Sequence, residues 1–183
     1  MKHTQAAESR ILQLLEKEHQ QALEQIDQLD VALVGLQFEG KTSVGRNVKQ
    51  IRSVLQFFLR RFIKHTEREE QIIFPFLTSH IPRLVSVFPL LCSQHQEFRK
   101  STEDLQLLVS VFSNYKSNLD QTRTTEKIRE VGTYLIYLLR HHIEVECQSI
   151  YKMINCELRR DEKEELERRL KNHTVKLVQT KKE

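Results

Sequence analysis

The sequence predicts an all-α fold, an antiparallel up-down-up-down four-helix bundle followed by a short charged C-terminal helix. Three observations carry this reading. Apolar residues recur at spacings of three and four along four long stretches. Short polar segments separate those stretches. The 183 residues include only 4 Gly and 3 Pro, too few for the many turns of a sandwich or barrel. With 39% apolar and 30% charged residues, the chain has material for one core and a solvated surface.

The first helix is expected over about 4–38. Its face reads Ile11, Leu12, Leu15, His19, Ala22, Leu23, Ile26, Leu29, Leu33 and Leu36, and Glu39-Gly40-Lys41-Thr42-Ser43 breaks it. The second covers about 47–77, with Ile51, Val54, Leu55, Phe58, Phe62, His65, Glu69, Ile72 and Ile73 on one face. Pro75 is expected to bend or end it. The connection is Thr78-Ser79-His80-Ile81-Pro82. The third helix starts between Pro82 and Pro89 and runs to about 114, with Leu84, Phe88, Leu91, His95, Phe98, Leu105, Leu108, Val109 and Phe112. Ser113–Thr124 is the next break. The fourth covers about 124–156, with Ile128, Val131, Leu135, Leu138, Leu139, His142, Glu146, Ile150 and Met153. Residues 159–172 read as a short helix with a solvated, charged surface. Its Glu164/Arg168, Glu165/Arg169 and Glu167/Lys171 pairs sit four apart. The bundle is therefore assigned to 1–156 and the charged helix and tail to 157–183.

Lys plus Arg is 29 and Asp plus Glu is 25, a net charge of +4. That excess is small and scattered, so a nucleic-acid partner is not expected. Cys92, Cys147 and Cys156 form no CxxC and read as free thiols. No apolar run reaches the length of a membrane span, and no signal peptide is expected after Met1. The expected setting is cytoplasmic.

Each long helix carries one histidine inside its apolar face: His19, His65, His95 and His142. A single such residue is most simply a core histidine bonded to a neighbour. One per helix calls for a joint explanation. Their depths agree. His19 lies 19 residues before Phe38, and His65 lies 18 after Asn47. His95 lies 19 before Asn114, and His142 lies 18 after Thr124. The four imidazoles should fall in one layer.

Two histidines continue as HxxxE, His65 to Glu69 and His142 to Glu146, a spacing that stacks both side chains on one face. Glu69 and Glu146 lie on the buried stripes, where an unpaired carboxylate costs several kcal/mol. No Lys or Arg sits on those stripes at the matching depth. A metal cation would compensate both carboxylates and accept four imidazoles. Aligning 65–77 with 142–154 pairs His65/His142, Glu67/Glu144, Glu69/Glu146, Gln71/Gln148 and Ile73/Ile150 as identities, with Phe74/Tyr151 similar. This pseudo-twofold relation suits two metals bridged by both carboxylates.

A lone His, an HxxxE, a lone His and a second HxxxE on successive helices resemble the hemerythrin-like HHE cation-binding domains. The run His65-Thr66-Glu67-Arg68-Glu69-Glu70-Gln71-Ile72-Ile73-Phe74-Pro75 is similar to that family's second-helix signature. The resemblance covers about residues 10–156. It implies a non-haem, carboxylate-bridged pair of iron ions inside an antiparallel bundle. The oxygen-carrying members have a second His four residues along the third helix and HxxxxD on the fourth. Here those places hold Arg99 and Cys147. The set of four His and two Glu looks closer to the bacterial iron-centre repair and stress-response members.

The expected ligands are His19, His65, Glu69, His95, His142 and Glu146. His19 pairs with His65 and His95 with His142, and both carboxylates bridge. Imidazole and carboxylate donors with open positions suit iron; manganese and zinc suit the set less well. The expected function is to bind, sense or reduce a small oxidant (O2, NO or peroxide), or to handle iron in stress response. The alternative is a metal-dependent regulatory module without catalytic activity, and the simplest rival is a metal-free helical interaction module. A protein partner would meet the C-terminal tail. His141 is expected at the surface and His80 idle in a loop. Glu18 and Glu70 read as solvated charges or acceptors for a ligand. Cys147, Tyr134, Tyr137 and Tyr151 read chiefly as packing residues, with bonding to the centre or a place near an access path as the tyrosines' other reading.

Overall fold

The computed structural model describes residues 10–39, 43–112 and 118–179. Among them there are helices and no strand. The first nine residues, Gly40–Thr42 and the first five residues of the break expected after Phe112 lie outside the described residues.

Helix α1 is Arg10–Phe38. A second helical rod follows as α2 (Val44–Phe57), a π-helical turn π1 (Phe58–Phe62), α3 (Ile63–Arg68), a second π turn π2 (Glu69–Ile73) and α4 (Phe74–His80). The junctions keep helical angles, as at Phe58 (φ −60°, ψ −50°) and Glu69 (φ −64°, ψ −52°). Pro75 therefore does not end the rod, which continues to His80. It sits in the first turn of α4, directly after π2, where the widened turn relaxes the hydrogen-bond ladder that a missing N–H would break. A 3-10 turn, Pro82–Leu84, leads to α5 (Phe88–Phe112). The next rod is α6 (Asn118–Glu146), π3 (Cys147–Tyr151) and α7 (Lys152–Glu157). It starts six residues before the expected Thr124. Thr122, Thr124 and Thr125 are weak helix formers, but Thr124 and Ile128 face the core and burial overrides propensity. Helix α8 is Arg160–Gln179, longer than expected, and Glu162 caps its start by accepting the Arg159 N–H at 2.8 Å.

The contacts run in a ring: α1 packs on α2 and α6, and α5 packs on α2 and α6. Two glycines permit close approach. A Cβ on Gly35 would meet the Asn47 amide at 2.5 Å, and one on Gly132 would meet Leu33 Cδ1 at 2.6 Å.

The apolar interior is split in two. One cluster holds Ala22, Ile26, Leu55, Phe58, Phe62, Phe98, Leu139 and their neighbours. The other holds Leu15, Ile73, Leu77, Leu91, Ile150 and Ile154. Every rod passes from one cluster to the other through its histidine. The second cluster also takes in Leu158, Leu166 and Leu170. The solvated reading of the C-terminal helix is thus half right: its ion pairs face water, while its leucines cover the bundle.

Candidate metal centre

All six predicted residues lie together between the two clusters, and all are buried. The four histidines come from α1, α3, α5 and α6; Glu69 opens π2 and Glu146 closes α6. Two groups form, each able to offer ligand atoms within 4.8 Å of one another. One is His19, His65, Glu69 and Glu146; the other is Glu69, His95, His142 and Glu146. Both carboxylates belong to both groups.

Within each group the imidazoles face each other through Nε2. His19 and His65 are 2.9 Å apart, and His95 and His142 are 3.1 Å apart. Two nitrogens bound to one ion at about 2.1 Å, near a right angle, would lie about 3 Å apart. The carboxylates approach the same nitrogens: His19 Nε2 to Glu146 Oε2 at 3.1 Å, His65 Nε2 to Glu69 Oε1 at 3.1 Å, and His142 Nε2 to Glu146 Oε2 at 3.4 Å. Even so, Glu69 Oε2 and both oxygens of Glu146 are buried with no hydrogen-bond partner. Orphaned carboxylate oxygens at this depth are costly. The donor set fits a divalent cation pair: four ring nitrogens and two carboxylates converge, and no lysine or arginine reaches Glu69 or Glu146 among the described residues.

The outer ring nitrogens explain the orientation. His65 Nδ1–H donates to Glu18 Oε2 at 2.8 Å, His95 Nδ1–H to Glu70 Oε1 at 2.8 Å, and His142 Nδ1–H to Gln94 Oε1 at 3.0 Å. Placing the proton on Nδ1 leaves the Nε2 lone pair for the centre. His19 Nδ1 faces the Cys147 sulfur at 3.7 Å. Arginines hold the two carboxylate partners in turn: Arg68 donates to Glu18, and Arg99 to Glu70 and Thr66. Arg99 thus supports a histidine's acceptor where the oxygen carriers have another histidine.

The titration pattern shows what the centre does with protons instead of metal. Burial pushes His19 and His142 down to about 3, reinforced by charge on the facing imidazole, and it lowers His95. Burial also opposes charge on His65, but Glu69 and Glu18 overcome it and raise that residue to about 9. Glu69 is likewise desolvated, yet its contact with His65 holds it well below the usual carboxylate range. Glu146 is pushed well up by burial and by the facing Glu69. Protons on His65 and Glu146 therefore do part of what cations would do.

The sequence pattern of the Hemerythrin HHE cation binding domain matches residues 10–154 of the chain. The chain belongs to this family. No curated protein matches it. In this hemerythrin HHE domain, the family's cation-binding character coincides with two buried His/Glu groups that can hold metal.

Other expectations need correction. Tyr134 and Tyr137 are exposed rather than packed, and Tyr137 stacks on the surface His141. Cys147 is exposed and turned toward His19 rather than buried in the core. His80 is the last residue of α4, where its Nδ1–H donates to the Phe76 carbonyl at 2.8 Å. Tyr151 is buried, as expected of a packing residue, and its hydroxyl also enters the centre, the other role expected of it, 3.1 Å from His19 Nε2. Burial and nearby carboxylates push its phenol well above its ordinary range. The role of Gln94 was not foreseen. Its signal was present: it precedes His95 as Glu18 precedes His19.

A surface cavity of about 300 Å³ reaches His65 from outside. Arg60, Arg61, Lys64 and Arg68 stand on its wall with Glu18, so it favours an anionic or polar visitor. Among the described residues, no helix is long and apolar enough to cross a membrane.

Proposed function

We propose that this hemerythrin HHE domain holds two iron ions, and that it binds, senses or reduces a small oxidant (O2, NO or peroxide) or handles iron in stress response. The ligands are His19, His65, Glu69, His95, His142 and Glu146, with both carboxylates shared, in an antiparallel up-down-up-down bundle. The observation that carries this is the pair of Nε2-to-Nε2 contacts flanking two carboxylates whose buried oxygens lack partners. The nitrogen and oxygen donor set, without thiolate among the six, favours iron. Bound iron would supply Lewis acidity and one-electron redox chemistry toward O2, NO or peroxide. The protein's own part is to fix four imidazoles through Glu18, Glu70, Gln94 and Cys147, and to keep bulk water out with an apolar cluster on each side. Free thiols at Cys92, Cys147 and Cys156 suit the reducing, cytoplasmic setting expected from the sequence. The test is metal analysis and an absorption spectrum after anaerobic loading with ferrous iron. Two ions per chain, lost on substitution of the central histidines, is the expected result. A chain that retains no metal overturns the reading.

One observation favours the regulatory alternative. Helix α8 lies on π2, the turn that carries Glu69 and Glu70, and His173 hydrogen-bonds Gln71 there at 2.9 Å. A change at the centre would reach α8 through that turn. Hydrogen exchange in α8 that changes on metal loading, without turnover of peroxide, O2 or NO, would select this alternative.

A further inference from the structure

The two halves of the centre correspond residue by residue. His19 and His65 match His95 and His142, and Glu69 matches Glu146. An aromatic ring stacks on the lone histidine of each half. Tyr151 lies on His19 with centroids 5.1 Å apart and planes at 17°, and Phe74 lies on His95 at 6.0 Å and 11°. The alignment of 65–77 with 142–154 pairs the same two residues, Phe74 and Tyr151. In the stacked rings, the halves differ by one hydroxyl.

That hydroxyl is aimed inward. It lies 3.1 Å from His19 Nε2 and 3.5 Å from Glu69 Oε1, on a buried side chain. An imidazole nitrogen has one lone pair, and in metal-free protein the His19 Nε2 lone pair is an acceptor within reach of the Tyr151 O–H, as it is of the facing His65 Nε2. A cation on His19 Nε2 would remove that acceptor. The remaining oxygen, Glu69 Oε1, is at the limit of hydrogen-bond length and belongs to the same ligand set. A buried hydroxyl left without an acceptor is unfavourable. Metal loading would thus free a donor at the His19/His65 half and nowhere equivalent at the other, where Phe74 has no polar atom.

We propose that Tyr151 is a specificity-determining residue whose hydroxyl donates a hydrogen bond to a small anion of the azide or peroxide class at the His19/His65 half, making the two halves unequal. The inference rests on the six residues being a metal centre. It adds a ligand-orienting group to that centre and assigns it to one side.

The test compares iron-loaded wild type with Tyr151→Phe. Iron per chain is measured first, then azide is titrated through its charge-transfer absorption. The substitution keeps the ring that stacks on His19. Both proteins should hold two ions, and the variant should bind azide about tenfold more weakly or worse, the size of a lost hydrogen bond to a charged group. Equal azide affinity overturns the proposal. So does a phenolate-to-iron band in wild type that the variant lacks, since Tyr151 would then be a ligand. A second readout needs no variant: azide should perturb the ultraviolet absorption of a tyrosine in loaded wild type, and no perturbation counts against the donor. Wild type that takes up no iron defeats the metal centre itself, and shows in the metal count before azide is added.

Discussion

The side chains that orient the imidazoles run once round the bundle. Glu18 on α1 holds His65, Glu70 on π2 holds His95, Gln94 on α5 holds His142, and Cys147 on π3 faces His19. Each partner is the sequence neighbour of a candidate ligand, so one helix places a ligand and fixes the ligand beside it. Glu18→Ala or Glu70→Ala should leave the six candidate ligands in place yet weaken metal affinity by about tenfold to a hundredfold; a competitive chelator titration measures this. Unchanged affinity would mean that packing alone sets the rings. A sharper contrast concerns the carboxylates. Glu69→Ala or Glu146→Ala should lower bound metal far more than Glu67→Ala or Glu144→Ala, because Glu144 is exposed and bonded to Gln148, and neither Glu67 nor Glu144 joins the cluster. Equal loss in both pairs would contradict the assignment. The six central residues were legible because a charged or titratable group on an apolar stripe breaks a period. Gln94 and Cys147 were harder to read: they break no period, and their one mark is to adjoin a candidate ligand, as Glu18 and Glu70 do, while what each orients is set by the next helix.

Three π turns interrupt the rods, and two of them adjoin the bridging candidates: π2 starts at Glu69 and π3 follows Glu146. A π turn has no compositional mark, so the 3.6-residue pattern reads straight through it, and no expectation of one arose. The buried side of the C-terminal element was missed for a related reason. Its Glu and Arg pairs dominate the composition, while only Leu158, Leu166 and Leu170 record the buried side. Leu166 is fully buried against the second cluster, and the Arg169 guanidinium covers Phe76 at 5.2 Å. Leu166→Ala should therefore cost about 2–5 kcal/mol, the range for a buried leucine, while Arg160→Ala, in an exposed pair with Glu164, should cost under about 1 kcal/mol. Urea unfolding of both variants checks this. Comparable small losses would show that α8 rests on the bundle without sharing its core.

For the molecule as a whole, the polar layer divides an apolar interior, and its cost depends on what neutralises it. Without metal, protons do so, and the signs follow from which state holds them. His19, His142 and His95 are lowered in the fold, so below about pH 6.5 the unfolded chain binds protons that the folded chain refuses, and stability falls as pH falls. Glu146 opposes this from about pH 4.5 upward, but it is one group against three. Above about pH 6.5 the histidines no longer differ, except His65. It stays protonated in the fold up to about 9, as Glu146 stays protonated well above its ordinary value. The folded chain now holds the extra protons, so stability falls as pH rises. Metal-free protein should thus be most stable near pH 6.5 and melt lower at both pH 5 and pH 8. Cations that replace those protons must release them, so metal affinity should rise with pH through the same upper window. Loaded protein gains about 2.7 kcal/mol at a hundredfold excess of free metal over its dissociation constant, and the gain in melting temperature over metal-free protein should be larger at pH 8 than at pH 6.5. Glu146→Gln, which carries no titrating proton, should make the metal-free decline above the usual carboxylate range shallower, leaving the part that His65 contributes. Thermal melts of wild type and variant, each with and without iron, decide the matter. A metal-free wild type that melts as high at pH 8 as at pH 6.5 would show that the layer is not held together by protons, and the case for cations in their place would lose its electrostatic basis.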